Sequence, residues 1–105
     1  MSYDFKKSDD TLKMQLIRMQ LETIAYTRIK RNLSDASIID TYSTFWLRIC
    51  QDYNIVPEND FREEFITFEK ESLLKFAPAT TFINMEQKAK ITLQKMNIDL
   101  SELNL

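Results

Sequence analysis

The chain has 105 residues, 44% hydrophobic and 29% charged, with net charge −2, one cysteine, no glycine and no histidine. That length suits one domain with one core, and the slight acidity argues against general electrostatic binding to nucleic acid or anionic membranes. Without glycine no Gly-rich phosphate loop can be written. Without histidine or a cysteine pair the standard zinc, haem and triad chemistries are missing, so no cofactor, metal or catalytic site is expected.

The lone Cys50 excludes an intrachain disulfide and suits a reducing compartment. The opening MSYDFKKSDD has no apolar core for a signal peptide. No apolar run approaches the roughly 18 residues that span a bilayer. The expectation is a cytoplasmic protein with no membrane partner.

Residues 1–7 read as a loose arm, with Tyr3 and Phe5 able to dock on the core. A first helix is predicted over Thr11 to Arg31, TLKMQLIRMQLETIAYTRIKR, with no proline and with apolar residues at helical spacing. Ser8 can cap it, and Asp9 and Asp10 suit its positive end. Arg28, Lys30 and Arg31 suit its negative end, and Asn32 stops it in the left-handed region that glycine would otherwise take. Its apolar side chains fall into two groups. Met14, Ile17, Leu21, Ile24 and Ala25 lie on one side; Leu12, Leu16, Met19, Tyr26 and the trailing Leu33 lie roughly opposite. A helix apolar nearly all round is usually buried. This one is therefore either the central helix of the domain or a helix shared with a second molecule. In a four-helix square each helix has one inward sector. Met14, Ile17, Leu21, Ile24 and Ala25 fill that sector, which leaves Leu12, Leu16, Met19 and Tyr26 as the expected partner-binding residues. The partner would be another protein or a second copy in a two-fold homodimer.

A second helix is predicted from about Asp35 to Tyr53, with Ser34 as N-cap and Leu33 against Ile38 as a hydrophobic staple. Ile38, Ile39, Tyr42, Phe45, Trp46, Ile49, Cys50 and Tyr53 make one apolar face, about 140° wide. Leu47 falls on the polar side. Asn54 ends the helix and lets Ile55 fold back on Cys50 in a Schellman-type contact. Asp60 with Glu63 has capping-box spacing, so a third helix is predicted from there to Pro78. Its stripe is Phe61, Phe65, Phe68 and Phe76, with Ile66 and Leu73. A fourth helix is predicted from about Thr81 or Asn84 to Met96, with Phe82, Met85, Ala89, Leu93 and Met96 inward. Asn97 stops it and Ile98 returns to Leu93. The tail from Asp99 to Leu105 has room for one more short turn. No strand signal of useful length is present. The expected fold is all-α, a compact antiparallel bundle of about four helices in a single domain.

Each candidate for chemistry also has a plain structural reading. Arg28, Lys30 and Arg31 are the best nucleic-acid signal, and residues 1–32 carry a net +3. About 160° separates Arg28 from Lys30 on the helical wheel, which suits a solvated helix end better than a phosphate-binding face. Residues 57–78 are net −3; Glu63, Glu64, Glu69 and Glu71 read as a polar face or as a surface for a basic partner. The phenylalanine stripe reads as core before it reads as a ligand groove. Ser72 and Lys75 match a Ser–Lys nucleophile pair by spacing only, with no oxyanion loop. Cys50 and Trp46 read as core. Leu33-Ser34 followed by Ile39-x-x-Tyr42 resembles the opening of the helical core-binding domain of phage-type integrases. Ile38 stands where that pattern prefers threonine, and no catalytic Arg/His/Tyr domain is written in these residues. We therefore read the match as the common grammar of a capped amphipathic helix.

The function expected from these residues is a small, non-enzymatic, helical protein–protein interaction module. By analogy of size and composition it is an accessory, inhibitor or adaptor protein of a phage or mobile element. The alternative is a small DNA-binding regulator using the basic end of the first helix.

Overall fold

The computed structural model describes residues 5–33 and 37–103, with side chains from Thr11 onward. Among these residues the order is α1 (Phe5–Lys30), α2 (Ser37–Asp52), α3 (Phe61–Glu71), a 3₁₀ turn (Leu73–Phe76), α4 (Ala79–Lys95) and a second 3₁₀ turn (Ser101–Leu103). There is no strand among them, and the fold is a small all-α bundle. No helix among the described residues is long and apolar enough to cross a membrane.

Three helices end in the same way, and the sequence shows why. With no glycine available, asparagine takes the left-handed position after each: Asn32, Asn54 and Asn97 have φ of 58°, 56° and 63°. The amide of the following residue then reaches back to the helix, Leu33 to the Arg28 carbonyl at 2.9 Å, Ile55 to Cys50 at 2.9 Å and Ile98 to Leu93 at 3.0 Å. These are Schellman closures, and they satisfy carbonyls that a helix end leaves open.

α1 is the central helix and packs against α2, α3 and α4, most extensively against α4. From Leu21 to Thr27 every residue except Thr23 is buried. Further back only Met14 and Ile17 are buried, while Leu12, Leu16 and Met19 are exposed. The helix is therefore enclosed in its C-terminal half, as a central helix is, and one-sided in its N-terminal half. Lys13 Nζ lies 4.9 Å from the ring centre of Tyr53, just past the end of α2. Asn97, Ile98 and Asp99, just past the end of α4, line a shallow cleft with Asp52 and Tyr53. So α2 and α4 both finish beside the N-terminal half of α1 and run antiparallel to it. On α2, Ile38, Tyr42, Phe45, Trp46, Ile49 and Cys50 are buried and Leu47 is exposed, as the wheel predicts. Leu100 and Leu103 bring the second 3₁₀ turn onto the core.

Several boundaries differ from the sequence reading. α1 begins at Phe5, so Ser8, Asp9 and Asp10 lie inside it and residues 5–7 of the expected arm are helical. The Ser34 cap falls outside the described residues, as do Tyr3 and the side chain of Phe5. Asp60 precedes α3 but makes no side-chain cap. Its Oδ1 accepts instead from Ser43 Oγ at 3.2 Å, which ties the start of α3 to α2. The third helix stops at Glu71 rather than running to Pro78. Ser72 turns extended at φ −71° and ψ 135°, and its Oγ accepts the Leu74 amide at 3.1 Å. A serine bonding its own neighbourhood competes with helix continuation. The break splits the expected stripe: Phe61 and Phe65 are buried and Phe68 is half-buried, whereas Ile66, Leu73 and Phe76 are exposed. Pro78 then sits at the start of α4, which begins at Ala79, a little earlier than predicted.

Candidate interaction surface

The buried polar groups come first, because they show which charges are already engaged. Glu86 lies on the inward stripe of α4 between Phe82 and Ala89 and is 6% exposed. α1 supplies both its partners: Arg31 Nη1 donates to Oε2 at 3.3 Å, and Arg28 Nη1 lies 3.7 Å from Oε1. Arg28 and Arg31 are about 60° apart on the wheel, so both can turn to α4. A carboxylate this enclosed requires such pairing, since an unpaired buried charge costs several kcal/mol. Lys30 points elsewhere, 5.5 Å from the ring centre of Tyr26. The basic cluster is thus divided, two arginines holding α4 and one exposed lysine over a tyrosine. Beside them the hydroxyl of Tyr42 is buried with no hydrogen-bond partner among the described residues, and burial pushes its pKa well above the usual tyrosine range.

Glu22 is the second enclosed acid, 2% exposed on α1. Arg18 Nε donates to its Oε1 at 3.2 Å, and Arg18 Nη1 also lies 3.7 Å from Glu64 Oε2 on α3. One arginine is shared by two carboxylates of neighbouring helices. Burial, opposed by Arg18 and reinforced by the charge of Glu64, pushes the Glu22 carboxyl from the usual 4.5 to about 7. Neither Glu22 nor Glu86 was singled out from the sequence. The available signal was their position, since each is a charge flanked by inward-facing residues on the wheel.

Other candidates have structural roles. Cys50 is a buried free thiol whose pKa burial raises. Lys75 Nζ donates to the Lys70 carbonyl at 3.1 Å and the Ser72 hydroxyl caps the 3₁₀ turn, so the two are not paired with each other as nucleophile and base. Among the described residues no group of acidic, cysteine or histidine side chains could hold a metal ion. The cleft between the ends of α2 and α4 includes Arg48, which is paired with Glu102 and stands over the Phe45 ring.

The expected partner-binding residues divide. Leu12, Leu16 and Met19 are 63%, 40% and 49% exposed, a stripe along the outer side of α1. Tyr26 is not part of it. Its ring is buried, edge-on to Phe68 at 6.0 Å and to Phe82 at 6.1 Å. α3 and α4 converge over this level of α1, and the wheel position of Tyr26 alone could not show that. The stripe has no charged residue within it. Thr11, Lys13, Gln15, Gln20 and Thr23 border it. Its nearest cation, Lys13, is turned to Tyr53. No protein-family model, no curated protein and no solved structure matches this chain.

Proposed function

We propose that this chain is a non-enzymatic protein-interaction module that binds through the N-terminal half of α1. One observation carries the reading: three large apolar side chains stand exposed in a row on the helix that organises the domain, with no charged residue within the row. Contiguous apolar surface on a small protein marks a contact site. The nearby polar groups are turned inward to Glu86, Glu64 and Tyr53, so they reinforce the bundle rather than form a reaction centre. The lone buried thiol suits the cytoplasm, and an accessory or adaptor role for a phage or mobile element fits the size. The regulator alternative is weaker, because Arg28 and Arg31 would have to leave Glu86 to reach phosphate.

The test is capture with the full chain in three forms: wild type, Leu16→Glu with Met19→Glu, and Ile83→Glu as an exposed control on α4. A partner identified with wild type is then purified and its affinity measured. The reading expects the α1 variant to lose at least about tenfold in affinity and the control to keep it. Equal binding by all three would overturn it, as would DNA binding at about 150 mM salt that disappears with Arg28→Ala and Arg31→Ala.

A further inference from the structure

We propose that the seam between α1 and α3 is a proton-controlled latch, closed while Glu22 holds its proton and loosened when Glu22 ionises. Its ground is where Glu22 sits. Arg18, Glu22 and Tyr26 follow one another in steps of four residues along one side of α1. Arg18 Nη1 lies 3.7 Å from Glu64 on α3, and the Tyr26 ring is edge-on to Phe68, four residues past Glu64. α1 and α3 therefore run in the same direction, and Glu22 stands between two contacts that join them. It is 2% exposed, so its charge has to be met inside the seam. There two acids face one cation. Arg18 Nε donates to Glu22 at 3.2 Å while its Nη1 serves Glu64. Glu64 is partly exposed and also accepts from Asn59 Nδ2 at 2.8 Å.

The other charges packed around α1 are turned elsewhere. On α2, Asp40 is paired with Arg62 and Arg48 with Glu102, and Asp52 is exposed. On α4, Glu86 is held by Arg28 and Arg31, Lys88 and Lys95 are exposed, and Lys90 lines a cleft with Asp99. On α3, Glu63, Lys70 and Glu71 are exposed, and the charge of Glu69 acts on Tyr26. An enclosed carboxylate with a shared cation gains most from water, and α3 is the element that can let water in. It is the shortest α-helix among the described residues, at 11 residues, and packs on α1 less extensively than α4 does. Segments with fewer packed contacts open first. Burial, against Arg18, pushes the Glu22 carboxyl up to about 7, so the latch works around neutral pH. Parting the seam returns the carboxyl to its usual 4.5 and uncovers Tyr26 and Phe68. Opening therefore becomes about 25-fold more favourable from about pH 5.5 to about pH 8.

The experiment is amide hydrogen exchange of the full chain between about pH 5.5 and about pH 8, corrected for the intrinsic rate at each pH and read separately for α2 and α3. In wild type the protection of the α3 amides should fall about 25-fold over that range. Urea below the unfolding transition should barely change exchange in α3 while it speeds exchange in α2, which marks the opening as local. Glu22→Gln should hold α3 protection constant within about threefold. Glu64→Gln leaves Arg18 to Glu22 alone and should move the fall to lower pH. That variant keeps the titrating acid, so it decides the matter even if Glu22→Gln folds poorly. A wild type whose α3 protection does not fall overturns the latch, as does a fall of equal size in Glu22→Gln or a fall at unchanged pH in Glu64→Gln. α3 amides that share the protection and urea dependence of α2 throughout also overturn it, because the seam then opens only when the whole bundle unfolds.

Discussion

Glu22→Gln should stabilise this protein in alkali and leave it nearly unchanged in acid. In the fold the Glu22 carboxyl is raised from the usual 4.5 to about 7, first by burial and then by the charge of Glu64, with Arg18 opposing. Between those two values the native carboxyl holds its proton while the unfolded one has lost it. Folding there takes up a proton, so the contribution of Glu22 is most favourable below about pH 4.5 and is lost as pH rises through 7. At 1.36 kcal/mol per pKa unit the full swing is about 3 kcal/mol. The glutamine side chain cannot ionise, so it resembles the protonated acid. The variant should be within about 0.5 kcal/mol of wild type at pH 4.5 and more stable by about 2–3 kcal/mol at pH 8.5. Arg18 keeps Glu64 as a partner in the variant, which limits any loss from the deleted charge. Urea unfolding of both proteins at several pH values measures this, and taking the difference cancels the titrating groups not coupled to Glu22. A difference that does not change with pH, or a variant less stable than wild type at pH 8.5, would refute the account of Glu22.

Trp46→Ala should cost about 3–5 kcal/mol in denaturant unfolding, while Leu47→Ala, one residue along but outward, should cost under about 1 kcal/mol; equal losses would mean that α2 is rotated from the orientation described. Glu86→Ala leaves Arg28 and Arg31 facing α4 without an acid and should cost about 3–5 kcal/mol. A loss under about 1 kcal/mol, typical of a surface ion pair, would show that the cluster is solvated. Asn97→Gly should preserve or raise stability, whereas Asn97→Ala should cost about 1–2 kcal/mol because alanine resists the left-handed region.

Features set by local chemistry were readable from the sequence. The face of α2 was legible because a single unbroken apolar arc leaves one orientation. The three asparagine stops were legible because the absence of glycine left few residues able to take positive φ. The exposed Leu12, Leu16 and Met19 followed from counting inward sectors. Of what was missed, the burial of Tyr26 and the pairing of Glu86 depend on neighbours distant in sequence, and the break at Ser72 does not. Tyr26 shares a wheel side with Leu12 but is covered by Phe68 and Phe82, whose convergence is a tertiary event. The break at Ser72 comes from one hydroxyl taking a backbone amide, a local alternative that composition does not reveal. The pairing of Arg28 and Arg31 with Glu86 joins residues more than fifty positions apart. Until α4 is placed against α1, those arginines look like free charges at a helix end.

The central claim is that the outer side of α1 belongs to the bundle's core at Tyr26 and to its surface at Leu16 and Met19. Unfolding of the Leu16→Glu, Met19→Glu double variant tests it most directly. The account predicts a free energy of unfolding within about 1 kcal/mol of wild type, as expected for exposed positions. A loss of about 3 kcal/mol or more, the scale of a core truncation, would contradict it.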